Sequence, residues 1–130
     1  MKETQVTAYN TFNPSDNEAR FYKAIRAKVE EDPTNEGCKK LYDEIKDKPW
    51  VFLESLDEWV QFIIDNKNNF KYVNQSPWHS FEVSHWINLL AECPQFYHNC
   101  DFSEFSDDDW LELLKLNPDC LRFRSFTKLL

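Results

Sequence analysis

The sequence predicts an all-α fold in which an N-terminal helix pair caps a short stack of repeated units, each an α-helix followed by a 3₁₀ turn. Three observations lead to this prediction. The chain has one glycine in 130 residues, whereas the tight turns of β-sheet proteins depend on glycine. A pattern of tryptophan, leucine and proline recurs 24 residues apart. Within this pattern the apolar residues stand at i, i+3 and i+4, which is the spacing of one helix face.

The repeat is clearest in residues 86–94, "WINLLAECP", and residues 110–118, "WLELLKLNP". A looser copy begins at Trp59, 27 residues before Trp86, with three extra residues in "NKNNFKYVNQS". Two further series keep the 24-residue register: Trp78, Phe102 and Phe126, and Phe81, Phe105 and Leu129. Repetition at a fixed period is typical of stacked repeat proteins. We therefore expect three units and a truncated fourth that ends at Leu130.

Each predicted unit helix has its own start and stop signals. A serine stands three residues before an acid in "SLDE" (55–58) and in "SDDD" (106–109). This pattern caps the free amides of a helix and places negative charge at its positive end. The proline that closes each repeat segment is expected to end the helix after about two turns. The i, i+3 spacing of Phe102 and Phe105 suits a 3₁₀ turn. Helices this short must bury their apolar face against a neighbouring unit.

The first third of the chain carries a different pattern. One helix is expected between a cap at Ser15 and Pro33, and a second between Thr34 and Pro49. Their apolar faces consist of Ala19, Tyr22, Ile25 and Val29 in the first helix, and Cys38, Leu41, Tyr42 and Ile45 in the second. Because the end of a repeat stack needs a less apolar outer face, we divide the single compact domain into two parts. Residues 1–48 form an N-terminal helical cap segment, and residues 49–130 form an acidic helical repeat stack.

Charge is distributed unevenly along the chain. Residues 1–48 hold ten acids and nine bases, whereas residues 49–121 hold thirteen acids and three lysines. The net charge of the whole chain is −8. A surface this acidic is repelled by nucleic acid and by anionic membranes, so we expect neither to be bound directly. The four cysteines and the lack of an apolar leader predict a cytoplasmic protein with free thiols.

The stretch "HWINLLAECPQFYHNCDFSEFSDDDWLELLKLNPDC" (85–120) resembles the motif W-x-x-L-L-x-x-x-P followed by C-D-[F/W]. That motif occurs in tandem arrays of predicted bacterial proteins with unassigned function. In period and in its α-plus-3₁₀ unit the stretch is also similar to leucine-rich variant repeats, although their consensus is not matched residue by residue. The resemblance covers residues 50–130. It implies an all-helical stack and supplies no catalytic residues.

Metal binding is one alternative to packing for the cysteines. A metal site would draw on Cys93, His98, Cys100 and Cys120. Structural zinc sites usually offer closely spaced cysteine pairs, and none is present here. In the repeat register Cys120 matches Phe96 and Cys100 matches Arg124, so packing is the shared property of these positions. We predict no metal and no cofactor.

Catalysis is the second alternative, and it would use His79, His85 or His98 with a nearby serine or acid. The sequence has no nucleophile elbow, and we predict that the protein is not an enzyme. The run 107–109 lacks the glycine and distal glutamate of a calcium loop, so helix capping accounts for it better. One tryptophan per unit, at 59, 86 and 110, is expected in the core rather than in a ligand cage.

The candidate partner-binding residues are six acids that alternate with predicted core positions, and one tryptophan expected to be partly exposed. They are Asp101, Glu104, Asp107, Asp108, Asp109, Glu112 and Trp78. The alternation should turn the carboxylates outward into one patch on the third unit.

These residues suggest a protein partner with a basic surface, such as a nucleic-acid-processing enzyme. We expect a non-catalytic inhibitor whose carboxylates occupy the place of phosphates on that surface. In size and charge the chain resembles phage proteins that block host defence nucleases, anti-CRISPR proteins among them. The alternative is an adaptor that binds a protein or peptide through its repeat surface, with charge serving only solubility.

Overall fold

A computed structural model of the protein describes residues 18–124. This range contains α-helices and 3₁₀ helices and no β-strand, so the predicted all-α fold class is confirmed. The α-helices are α1 Ala19–Glu31, α2 Glu36–Ile45, α3 Leu56–Asp65, α4 Phe70–Val73, α5 Val83–Glu92 and α6 Asp107–Leu116. The 3₁₀ helices are Pro49–Phe52, Trp78–Ser80, Pro94–Asn99, Phe102–Glu104 and Pro118–Phe123. The predicted cap at Ser15, and Phe126 and Leu129 of the fourth unit, lie outside the described residues.

The first two helices pack against each other, and α1 also packs against the 3₁₀ helix Pro49–Phe52. Ala19 in α1 and Ile45 in α2 are buried. The other residues predicted to face inward on these helices are partly buried. Arg20 and Lys23 both bind the carboxylate of Glu54. These two ion pairs connect α1 to Glu54, which lies just before α3.

Three segments between residues 49 and 123 have the same order of elements: a short 3₁₀ helix, a ten-residue α-helix and a second short helix. The residue before each α-helix has an extended backbone, with ψ of 163° at Ser55, 172° at Glu82 and 172° at Ser106. The three units are therefore alike in backbone geometry as well as in sequence. The relationship to known repeat arrays stays a prediction.

The core runs through the three ten-residue helices, since α5 packs against α3 on one side and α6 on the other. The residue at i+4 or i+3 from the unit tryptophan is fully buried in each helix: Ile63 in α3, Leu89 and Leu90 in α5, and Leu113 in α6. The unit tryptophans are buried too. The same aromatic contact recurs in two units, because Trp78 stacks on Trp86 at 5.6 Å and Phe102 stacks on Trp110 at 5.0 Å.

The helices differ from the sequence prediction in length and at their ends. Ten residues make nearly three turns rather than two. Pro94 and Pro118 each lie two residues beyond the last helical residue and begin a 3₁₀ helix, because proline suits the first position of a helical turn. The segment treated as an insertion contains α4, which begins where the Asn69 side chain accepts a hydrogen bond from the Tyr72 amide at 3.2 Å.

Candidate partner-binding surface

The acidic surface consists of the six acids predicted to form one patch: Asp101, Glu104, Asp107, Asp108, Asp109 and Glu112. They belong to the 3₁₀ helix Phe102–Glu104 and its cap, and to the first six residues of α6. All are exposed except Asp109, which is partly buried. Between them in the sequence, Trp110 and Leu113 are buried and Phe102 and Phe105 are partly buried. The expected alternation of core and surface positions is present.

Two of the six carboxylates hold local structure in place. Asp101 accepts a hydrogen bond from the Ser103 amide at 3.0 Å, and hydrogen bonds from the side chain and backbone of Ser103 lower the pKa of Asp101. Asp109 accepts from the Ser106 amide at 2.8 Å, while Ser106 Oγ accepts from the Asp109 amide at 3.1 Å. This reciprocal pair is the capping box that the sequence predicts.

Asp107 forms a contact that the sequence alone did not indicate. Its Oδ1 lies 3.4 Å from Arg124 Nη2, and the Arg124 guanidinium also lies 5.7 Å from the centre of the Trp110 ring. One of the three bases that follow residue 121 thus folds back onto the acidic surface. Glu104, Asp108 and Glu112 have no ion pair or side-chain hydrogen bond with any residue in the range 18–124.

The wider repeat segment shows the same lack of neutralising partners. Among its thirteen acids, Glu54, Asp57 and Asp107 have a cationic or histidine nitrogen within 4.0 Å inside the described part of the chain. In the cap segment, by contrast, lysines 28, 39 and 46 pair with Glu31 or Asp43. Within the described residues the cap segment forms internal ion pairs, whereas most carboxylates of the repeat segment face solvent without a cationic partner.

Trp78 borders a cleft of about 650 Å³ between the second and third units. The aromatic part of its lining is Trp78, Phe81 and Trp86, and the carboxylate part is Glu82, Asp101 and Glu104. Trp78 is partly buried, because Trp86, Phe81 and Phe96 all pack around its ring at 5.6 to 5.9 Å. Two members of the acidic surface, Asp101 and Glu104, therefore share this cleft with Trp78.

A second depression, of about 460 Å³, shares Trp78, His98 and Asn99 with the first. Phe70, which is 73% exposed, stands in its lining with the side-chain amides of Asn68, Asn74 and Gln95. These residues were not predicted from the sequence, because Phe70 lies in the loose part of the repeat and amides carry no periodic signal. The position of Phe70 between two asparagine-rich stretches is the one sequence feature that could have indicated this depression.

The four cysteines are free thiols, with Cys93 and Cys120 buried and Cys38 and Cys100 partly buried. Burial, with a smaller contribution from the Asp101 charge, raises the pKa of the Cys100 thiol to about 12. Burial also raises the pKa of Cys93 and Cys120, whose thiolates are thus disfavoured at neutral pH. No group of three or more potential metal ligands comes together among residues 18–124.

Of the three histidines, His85 is engaged in structure through both ring nitrogens. Nδ1 accepts a hydrogen bond from the Glu82 amide at 3.0 Å, and Nε2 lies 3.3 Å from Asp57 Oδ1. His85 thereby joins the starts of α3 and α5. His79 and His98 are exposed, and both line the cleft beside Trp78. The predicted lack of enzymatic activity stays a prediction.

Comparisons of the chain with protein-family models, with curated proteins and with solved structures gave no match. Within residues 18–124, no helix combines the length and apolar character needed to cross a membrane. The charges and clefts of this molecule are therefore the features that indicate its function.

Proposed function

We propose that the protein is a non-catalytic inhibitor that covers a basic, nucleic-acid-binding surface of a partner protein. The observation that carries the proposal is the set of carboxylates on residues 49–121 that have no cation beside them within the described part of the chain. Charges left without internal partners are free to pair with the charges of another molecule.

Carboxylates and phosphates are recognised by the same lysine and arginine side chains. A basic groove that holds nucleic acid can therefore accept a protein that presents carboxylates at a similar density. Charge complementarity also speeds the encounter, by about tenfold to a thousandfold at low salt. A nucleic-acid-processing enzyme is the partner class that fits this surface best.

The test compares two variants with equal changes in charge. The acidic-surface variant carries Glu104→Gln, Asp108→Asn and Glu112→Gln, which are exposed positions without partners among residues 18–124. The control variant carries Glu30→Gln, Glu44→Gln and Asp47→Asn, which are exposed positions on the cap segment. Circular dichroism first checks that both variants are folded, because Asp108 lies at the positive end of α6.

Each variant is immobilised and used to capture proteins from a lysate of the organism that carries the gene, and the captured protein is purified for rate measurements. We expect the wild type and the control variant to bind the same nucleic-acid-binding protein. The association rate constant of the acidic-surface variant with this partner should be at least about tenfold lower than that of the wild type. Duplex DNA should compete for the complex, and binding should collapse between about 50 and 300 mM salt. Full binding by the folded acidic-surface variant would contradict the proposal.

A second candidate function, a peptide-binding adaptor, is favoured by the exposure of Phe70 beside the depression next to Trp78. An exposed aromatic residue at the edge of a depression can anchor an apolar side chain of a partner. Docking of this kind buries apolar surface and depends weakly on ionic strength. Binding that persists at about 300 mM salt and is lost in Phe70→Ala would favour the adaptor over the inhibitor.

A further inference from the structure

The cleft beside Trp78 combines an aromatic floor with a carboxylate rim. Trp78, Phe81 and Trp86 supply the floor, and Trp78 and Trp86 stack with their planes 15° apart. Glu82, Asp101 and Glu104 supply the rim. No lysine or arginine of the described chain lines this cleft. The cleft is therefore suited to a side chain that has an apolar stem and a positively charged end.

The rim carboxylates come from two different units, which determines where a bound cation would sit. Glu82 precedes α5, whereas Asp101 and Glu104 cap and end the first 3₁₀ helix of the third unit. Asp101 is held in position by Ser103, whose hydrogen bonds lower the pKa of its carboxyl and favour the charged form. Glu104 is exposed and has no partner among residues 18–124. A group with donors on several sides could reach both units at once.

We propose that this cleft binds an arginine side chain from the basic surface of the partner protein, with the aromatic rings covering its methylene stem and the rim carboxylates receiving its guanidinium. The proposal rests on the proposed function and names the contact at its centre. Arginine fits better than lysine because a guanidinium is flat, weakly hydrated and has five donors, whereas an ammonium is a compact, strongly hydrated charge. Guanidinium groups also pack well on aromatic rings.

The size of the site indicates that the arginine belongs to a chain segment rather than to a small molecule. The cleft, of about 650 Å³, adjoins the depression of about 460 Å³, with which it shares Trp78, His98 and Asn99 and which Lys67 also lines. The amides of Asn68 and Gln95 in that depression can hydrogen-bond to a peptide backbone, and Phe70 can contact an apolar neighbour of the arginine. This layout suits a short extended segment with one anchoring side chain.

The test uses three synthetic probes: the peptide amides tetra-arginine, tetra-lysine and tetra-citrulline. Each is titrated into ¹⁵N-labelled protein at about 150 mM salt, where charges separated by more than about 8 Å are largely screened. We expect tetra-arginine to shift the indole N–H signals of Trp78 and Trp86 and the amide signals of residues 98–104. Tetra-lysine should bind more weakly, and tetra-citrulline, which is nearly isosteric and has uncharged side chains, should not shift these signals.

Two single variants distinguish binding in the cleft from general electrostatic attraction to the acidic protein. Glu104→Gln removes a rim carboxylate, and Glu112→Gln removes an acid that does not line the cleft. Each changes the net charge equally. We expect Glu104→Gln to weaken tetra-arginine binding about tenfold, as for a lost charge-assisted hydrogen bond, and Glu112→Gln to weaken it less than about twofold.

Equal effects of the two variants, or shifts that do not include the tryptophan signals, would overturn the cleft assignment. That result would leave the proposed function intact if the acidic-surface variant still lost its partner. Conversely, salt-resistant partner binding would end the inhibitor proposal without changing the peptide titration. Binding of argininamide as tight as that of tetra-arginine would assign the cleft to a small cation and overturn the partner segment.

Discussion

The unit tryptophans Trp86 and Trp110 are buried in the core and pack against aromatic residues of their own units. Trp86 is 5% exposed and Trp110 is 8% exposed, and each stacks on the aromatic residue eight positions earlier, Trp78 or Phe102. Phe81 and Phe105 contact the same indoles at 5.5 and 5.2 Å. Equivalent residues therefore make equivalent contacts in the second and third units, as expected if the repeat is a packing pattern.

Replacing Trp86 or Trp110 with alanine should lower the free energy of unfolding by about 3–5 kcal/mol, because each change leaves a large cavity in the core. Urea denaturation measures this loss. Leu111→Ala serves as the control, since Leu111 lies next to Trp110 and is 64% exposed. Its cost should stay within about 0.5 kcal/mol. A folded Trp110→Ala protein of unchanged stability would refute the interpretation of the repeat as a packing pattern.

The Cys100 thiol should make the free energy of unfolding depend on pH in the alkaline range. Folding raises the pKa of this thiol from its ordinary value of 9.0 to about 12, so between these values the folded protein retains a proton that the unfolded chain has released. The contribution to stability is complete below pH 9.0 and is lost as the pH rises towards about 12.

Cys100→Ala should consequently show a smaller decrease in the free energy of unfolding than the wild type between pH 9 and 11. Urea denaturation under a reducing agent at each pH measures the two slopes. Tyr22, whose pKa is also raised by burial, is present in both proteins and cancels in the comparison. Identical slopes would show that the Cys100 thiol titrates alike in the folded and unfolded states.

Among the helices, the sequence predicts those that have a local signal. The serine caps at Ser55 and Ser106 and the i, i+3, i+4 apolar faces identify α3 and α6. The 3₁₀ turn predicted at Phe102 and Phe105 is present as Phe102–Glu104. The 3₁₀ helices that begin at Pro94 and Pro118 were missed, because a proline signals the end of a helix as readily as the start of a short one. The bridge from His85 to Asp57 also has no sequence signature, since it depends on how α3 and α5 pack.

The capping box of α6 allows an element-scale prediction. Ser106→Ala should lower the free energy of unfolding by about 1 kcal/mol, because it leaves the Asp109 amide without its acceptor. Asp109→Ala should also destabilise the protein, and the double variant should cost less than the two single changes together. Ser84→Ala, in the exposed first turn of α5, is the matched control and should change stability by less than about 0.5 kcal/mol. Full additivity of the two box variants would mean that the two side chains act independently.

The candidate site was only partly predictable from the sequence. The outward direction of the acids follows from their alternation with core residues such as Trp110 and Leu113. The Asp107–Arg124 pair and the cleft beside Trp78 do not follow from it, because both arise where residues distant in sequence meet. Charge counts along a sequence identify an acidic segment, but packing decides which carboxylates remain available to a partner.

The uneven charge should also determine how salt affects stability. Proteins held together by surface ion pairs lose stability when salt screens the attraction. In this protein most carboxylates of residues 49–121 have no cationic partner among residues 18–124, so repulsion between them opposes folding. We expect the free energy of unfolding to rise when sodium chloride is increased from about 50 to 300 mM, since the Debye length falls to less than about 10 Å.

The acidic-surface variant should show a smaller rise in the free energy of unfolding, because three repelling charges are gone, while the cap-segment control should keep most of the rise. Thermal or urea denaturation of the three proteins at both salt concentrations measures the difference. Wild-type stability that falls with salt would mean that ion pairs such as those of Glu54 outweigh the repulsion, and the carboxylates would then be less available to a basic partner than their exposure implies.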